Sequence, residues 1–282
     1  VRVTYDPALF NAKKQLVENK IQSLEQEFLR HPQVDCPVVH RFGPGLYIRE
    51  VTLPAGALSI GHAQTTEHLN VMLSGRVSIV DENGKVKNLI APLTFVGQPG
   101  RKVGYIHETV IWQNIYATTE TNVEKLENMF LDKSDTWQKN QPLLSFNKFE
   151  DNVDFVSAIT EYGFNEKTVR KQAENTLDQI DFPFGGYSVM VSDSSIEGKG
   201  LFATKNFYPN EVIAPARIEG MRTPAGRYTN HSKNPNAIMA LGDNGDINLV
   251  AKSEIKGCQG GNIGQEITVD YRQALNLTVG RI

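Results

Sequence analysis

The chain has 282 residues, 40% of them hydrophobic and 22% charged, with a formal net charge of -3 and a pI near 6.1. That length has room for two ordinary domains, and that composition excludes a disordered chain. No apolar run is long enough to cross a bilayer, and the slight negative charge gives no reason to expect nucleic acid as the main partner.

The first thirty residues are charged and helical in pattern, unlike a signal peptide. Asp6-Pro7 reads as a helix start, and Phe10, Val17, Ile21, Leu24 and Phe28 recur at threes and fours, giving one apolar stripe that ends before Pro32. Such a stripe packs on its own domain or serves as an arm toward a second subunit. From about Leu46 to Tyr116 the pattern changes to short β-branched and aromatic runs, with Asn83-Gly84 as a hairpin turn after Val77 to Val80. This stretch predicts a compact antiparallel β-barrel or sandwich. Helical periodicity returns between residues 121 and 184: Val153, Phe155, Ile159 and Tyr162 precede Gly163, and Val169, Ala173, Leu177 and Ile180 follow an Asn165 cap. The last third is again short strands, with Asp243-Asn244-Gly245-Asp246 turning between Ala237 to Leu241 and Ile247 to Ala251. The expected division is an N-terminal helix over 1–36, a barrel over 37–120, a helical connector over 121–184 and a small β domain over 185–282. The fold class is mainly β, with a helical arm and connector.

Two segments carry candidate chemistry. In Gly61-His62-Ala63-Gln64-Thr65-Thr66-Glu67-His68, positions 62, 64 and 68 fall on one face of an extended chain, and Leu69, Val71 and Leu73 fall on the other. With Gly75 beyond, this segment is similar to the first cupin motif, and His107, with Asn114 after it, looks like the second. The resemblance implies a divalent metal held by His62, His68 and His107, with Gln64 as a weaker oxygen donor. A set of buried histidines without metal, in a barrel used as a scaffold or a dimerisation unit, is the open alternative.

The second segment is Arg227-Tyr228-Thr229-Asn230-His231-Ser232-Lys233-Asn234-Pro235-Asn236, followed by Gly264-Gln265-Glu266-Ile267-Thr268-Val269-Asp270-Tyr271. Together with Gly198-Lys199-Gly200-Leu201-Phe202-Ala203 upstream, these stretches resemble the SET-domain family of protein lysine methyltransferases over about residues 186 to 275. The resemblance implies S-adenosylmethionine as cofactor, bound by Gly198, Lys199, Gly200, Asn230 and His231, with Tyr271 orienting the lysine amine. A narrow apolar channel favours the neutral amine that methyl transfer needs. The stretch Ala214 to Thr229 is shorter than the family's substrate-binding insert. Either neighbouring helices or a second subunit complete the channel, or the fold persists without its reaction. The family's zinc cluster after the tyrosine is absent, since the cysteines are only Cys36 and Cys258.

The leading expectation is therefore a cytoplasmic or virion-associated lysine methyltransferase acting on a protein. Its rival is a non-catalytic assembly protein, such as a phage virion or tail component, that uses both β regions as docking blocks within a homo-oligomer. A metal-dependent cupin enzyme with an inert C-terminal domain is the third.

Overall fold

The computed structural model describes residues 7–31, 33–80, 85–139, 148–257 and 263–279. Helix α1 (Pro7–Phe28) is followed by strands β1 (Val38–Gly43), β2 (Leu46–Leu53), β3 (Leu58–Ile60), β4 (Ala63–Gln64), β5 (His68–Val80), β6 (Val86–Ile90), β7 (Leu93–Gly97) and β8 (Val103–Ala117). Next come α2 (Val123–Phe130), β9 (Leu131–Asp132), α3 (Asp135–Lys139), α4 (Lys148–Glu161) and α5 (Glu166–Ala173). The C-terminal region holds β10 (Gly185–Tyr187), β11 (Val189–Asp193), β12 (Lys199–Ala203), β13 (Val212–Ile218), β14 (Met221–Arg222), α6 (Pro224–Tyr228), β15 (Asn230–His231), β16 (Ala237–Leu241), β17 (Ile247–Ala251), β18 (Glu266–Val269) and α7 (Tyr271–Val279). No helix among the described residues is long and apolar enough to cross a membrane. The protein is mainly β.

An eight-stranded antiparallel sheet occupies the N-terminal half, in the order β10-β1-β2-β8-β5-β6, with β3 also on β8 and β7 also on β5. Its two long strands, β5 and β8, pair along most of their length, and the register slips between Met72 and Val77. Gly75 makes that slip possible: it sits at φ +87°, and a Cβ there would lie 2.3 Å from the Thr109 carbonyl oxygen. The β5–β6 hairpin forms with Val80 opposite Val86, while its expected Asn83-Gly84 turn lies outside the described residues.

Helix α1 lies across one mouth of this sheet. Ile21 is buried and Phe28 half-buried, as the stripe predicts, but Leu24 is exposed and Glu25 takes the inward position. The reason is electrostatic: both carboxylate oxygens of Glu25 accept from the Arg101 guanidinium, at 2.5 and 3.1 Å, and from Ser134 Oγ at 2.8 Å. Phe10 and the Asp6 cap fall outside the described side chains.

The C-terminal region stacks two four-stranded sheets, β11-β12-β18-β15 and β14-β13-β17-β16. The β16–β17 hairpin has the predicted bounds, with Gly245 at φ +88° in its turn. Asn165 caps α5 by accepting from the Thr168 N–H, also as predicted, but α5 ends at Ala173 and leaves Leu177 exposed.

Contacts cross the expected boundary at 185. β10 begins there yet forms the outer strand of the N-terminal sheet, with Tyr187 opposite His40. Val38 and Thr204 exchange two further hydrogen bonds, of 2.9 and 2.7 Å. One apolar core runs through both regions, joining Phe42, Tyr47 and Tyr116 to Leu126 and Phe130 of α2 and to Val189, Leu201 and Ile267. The helical segment after residue 120 is thus part of the core, and not only a tether.

Candidate functional site in the N-terminal sheet

Strand alternation builds the site. Tyr47, Arg49, Val51 and Leu53 of β2 share the inner face, as do His68, Asn70 and Met72 of β5 and Val110, Trp112, Asn114 and Tyr116 of β8. Register aligns them in rungs: Arg49 lies opposite Asn114, and Asn114 opposite Asn70. The inner face borders a cavity of about 610 Å³, also lined by Glu25 and Phe28 of α1, by Leu29 just after that helix and by Trp137 of α3. That volume is in the range of small-molecule sites, about 300–1,000 Å³.

One half of the cavity is apolar, walled by Val51, Leu53, Val77, Ile79 and Ile106. The other half is polar. Asn70 Oδ1 accepts from Trp112 Nε1 at 2.8 Å and from Asn114 Nδ2 at 2.7 Å, while Asn70 Nδ2 is buried with no hydrogen-bond partner. Arg49 Nε donates to Glu127 Oε1 at 3.1 Å, and Lys133 donates to Glu127 Oε2 at 2.7 Å. These two cations hold the buried Glu127 carboxyl far below the usual carboxylate range, against the upward pull of burial. Burial pushes His62 down to about 3, with Arg49 adding to it, and His40 down to about 4, so both rings are neutral near pH 7.

His62, Gln64 and His68 all line this cavity, in agreement with strand parity. They are not free ligands. Gln64 Oε1 accepts from the Tyr116 hydroxyl at 2.6 Å, His68 Nδ1 bonds the Thr66 carbonyl at 3.0 Å, and the His62 ring stands edge-on to Trp137, 4.7 Å between centroids. His107 is the correction. It follows inward-facing Ile106 and so points to the outer face, where its Nε2 bonds Ser78 Oγ at 2.6 Å and its ring meets Tyr105. In β8 the inward positions keep one parity from Ile106 to Tyr116, so Asn114 stands on the cavity side and His107, an odd number of residues away, does not; the parity changes only in β5, between Met72 and Val77. Among the described residues no three His, Cys, Asp or Glu side chains converge on a point that could hold a metal ion. The donor set therefore does not fit the expected metal.

The C-terminal candidates come together as the motif order implies. β15 pairs parallel with β18, Asn230 opposite Thr268 and His231 opposite Val269, and the His231 and Tyr271 rings meet edge to face at 5.2 Å. Their polar groups are already engaged. Asn230 Nδ2 lies 2.8 Å from Glu266 Oε1 and 3.1–3.2 Å from Ser194 Oγ, Glu197 O and Lys199 O. His231 Nδ1 accepts from the Tyr271 N–H at 3.1 Å, which leaves Nε2–H to donate to Asp154 at 3.0 Å. The Tyr271 hydroxyl donates to Thr229 O at 3.2 Å, and burial raises its pKa to about 12. Lys199 is paired with Glu124 and Asp193 at 2.7 and 2.9 Å. Gly200 is glycine because a Cβ would sit 2.3 Å from Glu266 Oε1, whereas Gly198 has φ +50° and open space beside it. Phe155 of α4 covers both rings, 5.8 Å from Tyr271 and 6.3 Å from His231. Side chains expected to face a methyl donor thus have their polar groups on other protein residues: Glu266, Asp154 and Glu124.

Two cavity residues, Arg49 and Asn70, escaped the sequence reading, as did Glu127, the partner of Arg49. An arginine at an inward position of the alternating run Tyr47-Ile48-Arg49-Glu50-Val51 was the available signal for the first. Glu127, on α2, carried none.

No protein-family model matches the chain, and no curated protein does. Among solved structures, it is similar to a cupin domain of Cnp3 from Schizosaccharomyces pombe, at 16% identity and TM-score 0.26 over 36% of this chain and 77% of that one. A cupin domain from Bordetella pertussis matches at 12% identity and TM-score 0.26, over 32% of this chain and 99% of that one. An HTH_3-family transcriptional regulator from Vibrio cholerae matches at 19% and TM-score 0.25, over 30% of this chain and about half, 52%, of the regulator. Likenesses of this size carry no argument about activity.

Proposed function

We propose that this chain is a small-molecule-binding protein whose ligand site is the cavity of a cupin-like N-terminal sheet, with the C-terminal β region as a rigid partner fused to it through one core. The observation that carries this reading is the cavity itself: about 610 Å³, apolar on one side, with Arg49, Asn70 and Asn114 aligned on the other. The cupin-like description rests on the antiparallel strand order and on the placing of His62, Gln64 and His68 against the cavity. Both tryptophans of the chain, Trp112 and Trp137, line the same space, so ligand entry is readable in intrinsic fluorescence. A panel of small organic molecules screened this way is expected to give saturable changes. Fluorescence indifferent to the whole panel would count against the reading.

Lysine methylation with S-adenosylmethionine is the second reading, favoured by the parallel meeting of β15 with β18 and the contact of His231 with Tyr271. Phe155 supports it as an apolar wall supplied by a neighbouring helix. It requires the bonds of Asn230 and His231 to be exchanged on binding. Thermal unfolding with excess S-adenosylmethionine decides it, because a ligand bound only by the folded state must raise the midpoint.

A further inference from the structure

The buried charges around the cavity do not cancel. At one mouth Glu25 and Arg101 form a balanced pair. At the polar wall two cations, Arg49 and Lys133, share one carboxylate, Glu127. The nearest imidazoles, His40 and His62, are neutral near pH 7 and add no charge. One positive charge is left over, in surroundings where an unpaired charge is costly.

Arg49 is where that charge meets the cavity. Only 16% of its side chain is exposed, and it lines the cavity. Among the described residues its sole side-chain hydrogen bond is Nε to Glu127. Its two terminal nitrogens, a planar fork suited to a carboxylate, are unused. On the same rung Asn70 Nδ2 is a second buried donor without an acceptor. Unused donors with a net positive charge select an anion over a cation, and the facing apolar wall selects a ligand with a hydrocarbon body.

Resting on the reading of the cavity as a ligand site, we infer that it takes a small organic acid: the carboxylate on the Arg49 fork, the apolar body along Val51, Leu53, Val77, Ile79 and Ile106. The two donors then gain the acceptors they lack, and the leftover charge is neutralised.

The test titrates the full chain at neutral pH with octanoate and phenylacetate, each beside its uncharged amide, and follows tryptophan fluorescence. At least one acid is expected to bind about tenfold or more tightly than its amide, a difference of about 1.4 kcal/mol. That preference is expected to vanish in Arg49→Gln, which leaves the Glu127 carboxylate paired with Lys133 at 2.7 Å and so strands no buried charge. Equal binding of acid and amide overturns the anchor and leaves the cavity reading intact. Absence of any binding overturns both. An Arg49→Gln variant that keeps the acid preference overturns the assignment of the anchor to Arg49. If that variant does not fold, the comparison of acid with amide on the unaltered chain still decides.

Discussion

His40 lies wholly buried between Tyr47, whose hydroxyl is 2.7 Å from Nδ1, and the Arg49 position of the next strand. Burial is the main force that lowers its pKa to about 4, with Arg49 and Lys133 adding to it and Glu127 opposing. In the unfolded chain the same imidazole titrates near its ordinary value of about 6.5. Between those two values the unfolded state holds a proton that the folded state refuses, so acid favours unfolding. Going from pH 7 to pH 5, the difference amounts to about 2 kcal/mol for this one group. The stability is fully present above the unfolded value and is drained as pH falls toward the folded one. Urea unfolding of the unaltered protein and of His40→Gln, each at pH 7 and pH 5, isolates the effect, since all other titrations are common to both. The unaltered protein is expected to lose about 2 kcal/mol more than the variant across this interval. Equal losses would mean that His40 takes up its proton in the folded state, and the buried polar wall described above would be wrong.

Three further substitutions probe the frame. Glu25→Ala strands the Arg101 guanidinium in a pair whose side chains are only 7% and 15% exposed, and should cost about 3 kcal/mol and raise amide exchange over α1; unchanged exchange would remove the helix as a wall of the cavity. Gly200→Ala forces a methyl group into the carboxylate that Ser194 and Asn230 fix, with an expected loss of about 2 kcal/mol in urea unfolding; a neutral result would show that the glycine serves something other than internal packing. Tyr271→Phe removes one hydroxyl bond to Thr229 O, about 1 kcal/mol, and should leave fluorescence titrations of the cavity unchanged.

Much of the fold could be read from sequence because its signals are local. Asn244-Gly245 set the β16–β17 hairpin, Asn165 set the start of α5, and the alternation around His62 to Leu73 separated the cavity face from the outer face. The assignment of His107 failed because it rested on motif resemblance alone: alternation along β8 turns Ile106, Trp112 and Asn114 inward and so His107 outward. Leu24 was placed inward because periodicity cannot see that Arg101 and Ser134, far along the chain, offer Glu25 a better site. The same limit hid Glu127 and the role of α4, whose Asp154 and Phe155 engage His231 and Tyr271 across the chain. The motifs in the last third did locate strands that meet, but residue types alone did not reveal that Asn230, His231 and Lys199 engage Glu266, Asp154 and Glu124.

Amide chemical-shift mapping of the full chain, with octanoate, phenylacetate and S-adenosylmethionine added separately, tests the central claim most directly. Shifts clustered on residues 49–53, 68–72 and 110–114 with at least one acid, and none from the methyl donor, are the expected result. Shifts clustered instead on Gly198, Asn230 and Tyr271 with the donor, and a silent N-terminal cavity, would contradict it.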